Sequence, residues 1–107
     1  MATRGITVLR GSVTAVAETA AAAEAAGFDA AWTPEFYTRS AVVTLGQMAA
    51  RTSRCRVGTS IAYATGRSPL VLATEARSLD EVSAGRLVLG LGTGTRRMME
   101  DLSLIHI

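Results

Sequence analysis

The 107-residue chain is 49% hydrophobic and 19% charged, a globular composition with no bias towards disorder. Its formal net charge of +2 is too small to mark a phosphate-binding surface, and aromatic residues, at 5%, offer few stacking platforms for single-stranded nucleic acid. No apolar run reaches the roughly 18 residues of a membrane span, because Arg, Glu or Gly interrupts each one.

Cys55 is the single cysteine, so an intrachain disulfide is impossible and a reducing compartment is expected. Its neighbours Arg54 and Arg56 would favour a thiolate. The reading expected, however, is a small residue at the entrance of a strand. Arg4, Gly5 and Arg10 break the basic-then-apolar layout of an export signal, which points to the cytoplasm.

Ile6-Thr7-Val8-Leu9 reads as a short buried strand. A helix is predicted from about Ser12 to Ala26, with Ser12 as N-cap and Gly27 as the C′ residue. Its alanines (Ala17, Ala20, Ala21, Ala23 and Ala25) favour helix and permit close packing on a sheet. Ala30-Ala31-Trp32-Thr33 follows as the second strand. The second helix runs from about Ala41 to Arg51 behind Ser40, with Val42, Leu45, Met48 and Ala49 on one stripe. Val57-Gly58-Thr59-Ser60-Ile61 is the third strand. Ser68-Pro69 opens a third helix as cap and first helical position. Leu72, Ala76 and Leu79 form its inner face, Glu75, Arg77, Ser78, Asp80 and Glu81 face water, and Gly85 closes it. Leu87-Val88-Leu89 is the fourth strand.

Strand starts near Ile6, Ala30, Val57 and Leu87 recur every 25 to 30 residues. Strand–helix alternation at this period means βαβ units and a parallel sheet, hence an α/β fold. An open doubly wound sheet and a (β/α)8 barrel both satisfy it. A barrel needs roughly 250 residues, whereas three and a half units are present here. The final six residues, Leu102-Ser103-Leu104-Ile105-His106-Ile107, resemble the translation of a sequencing-library transposon adapter, CTG TCT CTT ATA CAC ATC. They are expected to be adapter read-through, and the alternative is a genuine short strand. His106 is the sole histidine, so no His–Asp or His–metal arrangement is expected elsewhere, and no metal site.

Three loops carry candidate chemistry. Leu89-Gly90-Leu91-Gly92-Thr93-Gly94-Thr95 runs from a strand into alternating glycines that let backbone amides approach a ligand. It departs from a dinucleotide fingerprint, which requires Gly where Thr95 stands. Thr33-Pro34-Glu35-Phe36-Tyr37 places a carboxylate and two aromatics at a strand's C-terminal end, the ligand-binding side of parallel α/β folds. Glu35 suits proton transfer or a hydrogen bond to a cofactor ring; the alternative is an exposed acid paired with Arg39. Phe36 and Tyr37 are candidate pocket residues. The stretch from Ser60 to Arg67 is too irregular for a simple turn.

In order, Ala30-Ala31-Trp32-Thr33-Pro34-Glu35-Phe36, Val57-Gly58-Thr59-Ser60-Ile61, Ser68-Pro69, Leu79-Asp80-Glu81-Val82-Ser83-Ala84-Gly85-Arg86 and Gly90-Leu91-Gly92-Thr93-Gly94 resemble the luciferase-like flavin and deazaflavin oxidoreductases. The likeness covers nearly all of residues 5–101 and leans to the branch that uses coenzyme F420, an 8-hydroxy-5-deazaflavin. It implies the N-terminal half, about four βα units, of a (β/α)8 TIM barrel, with residues 1–101 in the barrel domain. It further implies a non-prolyl cis peptide at Ser60-Ile61 and cofactor contacts from Thr33, Ser60, Ile61, Gly92, Thr93, Gly94 and Thr95; Glu35, from its place at the strand end, is the catalytic candidate. The implied activity is hydride transfer between the deazaflavin and a small organic substrate, in a homo-oligomeric parent enzyme that the fragment alone would not reproduce. A flavin mononucleotide (FMN)-dependent monooxygenase using oxygen is the alternative. A non-catalytic binding protein of barrel origin is a third reading. If residues 102–107 are adapter-derived, deleting them will leave solubility and the thermal unfolding midpoint unchanged; a clear loss of folded protein would contradict this.

Overall fold

A computed structural model describes residues 3–97. The adapter-like segment 102–107, His106 included, lies outside the described residues. In chain order the elements are β1 (Gly5–Thr7), α1 (Val13–Ala25), β2 (Ala30–Thr33), α2 (Ala41–Arg51), β3 (Arg56–Thr59), β4 (Ala62–Tyr63), α3 (Pro69–Val82), β5 (Leu87–Val88) and β6 (Leu91–Gly92). The sheet order is β1-β2-β3-β5, every neighbouring pair parallel, and β4 pairs in parallel with β6 as a two-stranded extension.

Alternate residues of a strand face opposite sides of the sheet, and the register sorts them into rows. Ile6, Ala31, Val57 and Leu87 align across the four strands and face the helices. They pack with Val16, Ala17 and Ala20 of α1, Leu45, Met48 and Ala49 of α2, and Leu79 of α3. Thr7, Trp32, Gly58 and Val88 form the adjacent row on the opposite face. There the Trp32 ring lies over Gly58, where a Cβ would come within 2.5 Å of the indole and 2.8 Å of the Val88 carbonyl.

The first strand is shorter and less buried than the sequence suggests, with Gly5 and Thr7 exposed and Leu9 58% exposed. Only Ile6 and Val8 point into the core, as the two-residue period requires. All three helix starts follow expectation: the hydroxyls of Ser12, Ser40 and Ser68 accept from the amides of Ala15, Val43 and Val71. Helix α1 ends in a Schellman arrangement, with Phe28 N–H donating to Ala23 O and Gly27 N–H to Glu24 O, and with Gly27 at φ 92°. Helix α3 closes the same way one residue earlier than expected. Ala84, at φ 54°, takes the C′ place and Gly85 follows it. Within the expected inner face of α3, Leu79 is buried and Leu72 and Ala76 are half-buried.

At the N-terminal end of the sheet two side chains bind loop backbone. Glu24 accepts from the amides of Ser53, Arg54 and Cys55 at 2.7–3.1 Å, fastening the end of α1 to the loop before β3. Arg86 donates five hydrogen bonds: to the carbonyls of Ser83, Cys55, Ala49 and Thr52 and to the Thr52 hydroxyl. Four of these acceptors cluster around the C-terminus of α2, where orphan carbonyls favour a cation. Cys55 is 1% exposed, and burial together with the nearby Glu24 carboxylate pushes its thiol pKa up. The residue is thus the small buried side chain at the strand entrance that the sequence reading favours, and the thiolate is not supported.

Burial alone would raise the pKa of Glu24, but the amides of Cys55, Arg54 and Ser53 outweigh it and bring it from 4.5 to about 2. A folded-state pKa below the unfolded one adds stability that is fully present above about pH 4.5 and is lost as the pH falls towards 2. Glu24→Gln is therefore expected to flatten the dependence of unfolding free energy on pH between 4.5 and 2. Denaturant titrations at stepped pH will test it, and parallel curves for the two proteins would refute the assignment.

Candidate functional site

The loops after β2, β3 and β5 meet at the C-terminal end of the sheet. Backbone bonds continue past the strands: Ser60 N–H donates to Thr33 O, Glu35 N–H to Ile61 O, Ala62 N–H to Gly90 O and Ala64 N–H to Gly92 O. The Ser60–Ile61 peptide is cis, as the resemblance implies. Just before it, the Thr59 hydroxyl donates to Gly90 O at 2.8 Å and accepts from Gly90 N–H at 2.9 Å. The β3 side and the glycine turn are thus tied on both flanks of the cis peptide. The glycines follow from this closeness: a Cβ on Gly90 would lie 2.3 Å from the Thr59 carbonyl oxygen, and one on Gly92 would lie 2.5 Å from Ile61 Cδ1.

Ser60, Ile61, Gly92, Thr93 and Gly94 form one exposed or half-exposed ledge, with Thr95 following it on the surface. Thr33 departs from expectation. Its side chain is fully buried, its hydroxyl donating to Pro34 O and accepting from Arg39, so what it gives the strand ends is its carbonyl.

Glu35 is 8% exposed, and its partner is Arg67, 32 residues away in sequence, rather than Arg39. Oε1 accepts from Arg67 Nη1 at 2.7 Å and Tyr63 N–H at 2.9 Å; Oε2 accepts from Arg67 Nη2 at 2.7 Å and Ala41 N–H at 2.9 Å. The four acceptor positions of a carboxylate are thereby filled. Tyr63 returns a bond from its hydroxyl to Glu35 O at 2.7 Å, and Arg67 Nε reaches Glu75 at 3.1 Å. Glu75, expected to face water, is therefore half-buried in this network. Burial would raise the Glu35 pKa, but Arg67 and the amides of Tyr63 and Ala41 outweigh it and hold it below the usual carboxylate range. The Tyr63 phenol is pushed up by burial and then by the Glu35 charge, so it stays protonated.

Arg39 is also buried, spending its guanidinium on the carbonyls of Gly11, Val8 and Leu9 and on Thr33 Oγ1, with Phe36 stacked 5.6 Å from it. Phe36 and Tyr37 line an open pocket of about 450 Å³ together with Glu35, Ser40, Tyr63, Gly66 and Arg67. Among the described residues no cluster of side chains could hold a metal ion, and no helix is long and apolar enough to cross a membrane. Sequence reasoning missed Tyr63 and Arg67. The available signal was an arginine beside a glycine, in a loop on the same end of the sheet as Glu35.

With this arrangement in view, the chain belongs to the luciferase-like monooxygenase family, whose model matches residues 2–103. It is 40% identical over 84 residues to a putative coenzyme F420-dependent oxidoreductase of Mycobacterium tuberculosis, an alignment covering 78% of this chain and 24% of the relative. The coenzyme F420-dependent tetrahydromethanopterin reductase of Methanopyrus kandleri superposes with a TM-score of 0.85 at 30% identity, over 94% of this chain and 30% of that one. The oxygenating constituent of 3,6-diketocamphane monooxygenase from Pseudomonas putida, solved with FMN, superposes at 0.82 with 17% identity, covering 94% and 32% respectively, which speaks for the fold alone. The chain spans about a quarter of the length of the curated relatives it matches. Its α/β architecture is accordingly part of a TIM barrel, with three βα units and a fourth barrel strand among the described residues.

The two close approaches differ in what has to move. Gly90→Ala drives a methyl group against backbone and is expected to cost about 1–3 kcal/mol, whereas at Gly92 the flexible end of Ile61 can turn away. Chemical denaturation of both variants checks the order, and a Gly92→Ala loss exceeding that of Gly90→Ala would overturn it.

Proposed function

We propose that residues 1–101 belong to the barrel of a longer cytoplasmic oxidoreductase that transfers a hydride between coenzyme F420 and a small organic substrate. The observation that carries this reading is the 40% identity to a putative coenzyme F420-dependent oxidoreductase, with 30% to the F420-dependent reductase, 28% to a monooxygenase of Streptomyces bottropensis and 17% to the FMN-bound neighbour. The ledge suits such a cofactor. Ser60, Thr93 and Gly94 are uncharged and exposed, a surface that would suit the hydrogen-bonding edge of a flat ring, and half-exposed Ile61 would add apolar contact. Ser60, Ile61, Gly92, Thr93, Gly94 and Thr95 would hold the ring, with Thr33 supporting them from below through its carbonyl.

When bound, the deazaflavin supplies the hydride donor or acceptor, so the protein's task is to orient ring and substrate and to exclude water. Phe36 and Tyr37, at the pocket beside Glu35, would line the substrate side. Purified full-length protein is expected to bind reduced and oxidised deazaflavin, seen by fluorescence titration, and to prefer it to FMN. Retention of FMN with no deazaflavin binding would favour the oxygen-using monooxygenase instead. Binding of neither would favour a non-catalytic barrel protein.

A further inference from the structure

We propose that Glu35 and Arg67 form a positioning device that sets the ledge of Ser60, Ile61 and residues 92–94 in place, Glu35 acting through Arg67 and Tyr63 rather than on the substrate. This rests on the cofactor reading above, which gives the ledge its role. Glu35 has no acceptor position left for a ligand, because two guanidinium nitrogens and two backbone amides occupy its oxygens. Those four donors come from different pieces of the strand-end surface. Ala41 is the first residue of α2, Tyr63 ends β4, and Arg67 lies in the loop before α3.

From Tyr63 the constraint passes directly to the glycine turn. Its hydroxyl is held by the Glu35 carbonyl, and its ring lies 3.4 Å from where a Cβ of Gly94 would stand. The next amide, Ala64 N–H, bonds Gly92 O at 2.8 Å. Arg67 closes the loop a second time through Tyr63 O at 3.0 Å and anchors it to α3 through Glu75. A fork-to-carboxylate pair at 14% and 8% side-chain exposure has fixed geometry as well as charge, which a single-point contact would lack. The depressed carboxylate pKa agrees with a permanently charged anchor and is the wrong direction for a proton donor near neutrality.

Glu35→Gln would set an amide NH2 against donors on one side whichever way it is turned, and Arg67→Lys would keep the charge but lose the fork. In the full-length protein, each single change is expected to weaken deazaflavin binding by about tenfold or more. Each should also speed hydrogen exchange at the Tyr63 and Ala64 amides in the cofactor-free protein. The double variant should be no worse than the weaker-binding single, since both remove one device. The pH profile of kcat/KM should keep its limbs. A Glu35→Gln protein with normal amide protection and deazaflavin affinity but a more than tenfold lower kcat, or with a limb of the pH profile gone, would overturn the proposal in favour of direct proton transfer. If wild-type protein binds no deazaflavin, the cofactor reading fails. The exchange measurement still decides the clasp: unchanged protection at Tyr63 and Ala64 in both variants would refute it.

Discussion

Where parallel strands end and the chain turns away into helices, backbone amides and carbonyls lose their sheet partners, and burying them unpaired costs free energy. Satisfying those groups is the constraint on which both ends of this sheet depend. At the C-terminal end Glu35 takes up the Tyr63 and Ala41 amides, Thr59 serves both backbone groups of Gly90, and Arg39 takes the carbonyls of Val8, Leu9 and Gly11. At the opposite end Glu24 collects three amides and Arg86 a set of carbonyls. Thr59 apart, these side chains are charged, and an ionised group makes stronger bonds to backbone dipoles than a neutral one.

The two ends use the same chemistry for different purposes. Around Arg86 nothing is left open: all five guanidinium N–H groups are spent on helix ends and loop backbone, and Ser83 beside it is fully buried. That accounts for why the stretch Asp80-Glu81-Val82-Ser83-Ala84-Gly85-Arg86 is a structural signature. It ends a helix, reverses the chain and bolts α2 to the entrance of β5. Around Glu35 the bonded groups border the exposed ledge and a pocket. Rigidity there serves surfaces that remain available to other molecules.

Packing between the layers follows from residue size. Ala17, Ala20 and Ala31 are small side chains of α1 and β2, while Leu45 and Met48 of α2 are the largest fully buried ones. On the other face a single large ring, Trp32, is accommodated by the missing side chain of Gly58. Helix α3 is the least covered of the three, with Leu79 buried but Leu70, Val71 and Val82 exposed.

The sequence by itself determined the elements and their order, since serine caps, glycine stops and apolar periodicity act over three or four residues and need no distant partner. Its family resemblance placed the cis peptide at Ser60-Ile61 and the glycine turn beside it. It did not resolve β4 and β6, which are two residues each and exist only because Ala62 and Tyr63 find Leu91 and Gly92 beyond the cis peptide. Nor did it give the partner of Glu35. Arg39 is four residues away and Arg67 is 32, and both are arginines in loops on the same end of the sheet. Which one reaches the carboxylate is decided by where β2 and β3 place their loops, and that depends on strand register. Composition and spacing fix a residue's chemistry, while long-range pairing is a three-dimensional property that tertiary packing alone selects.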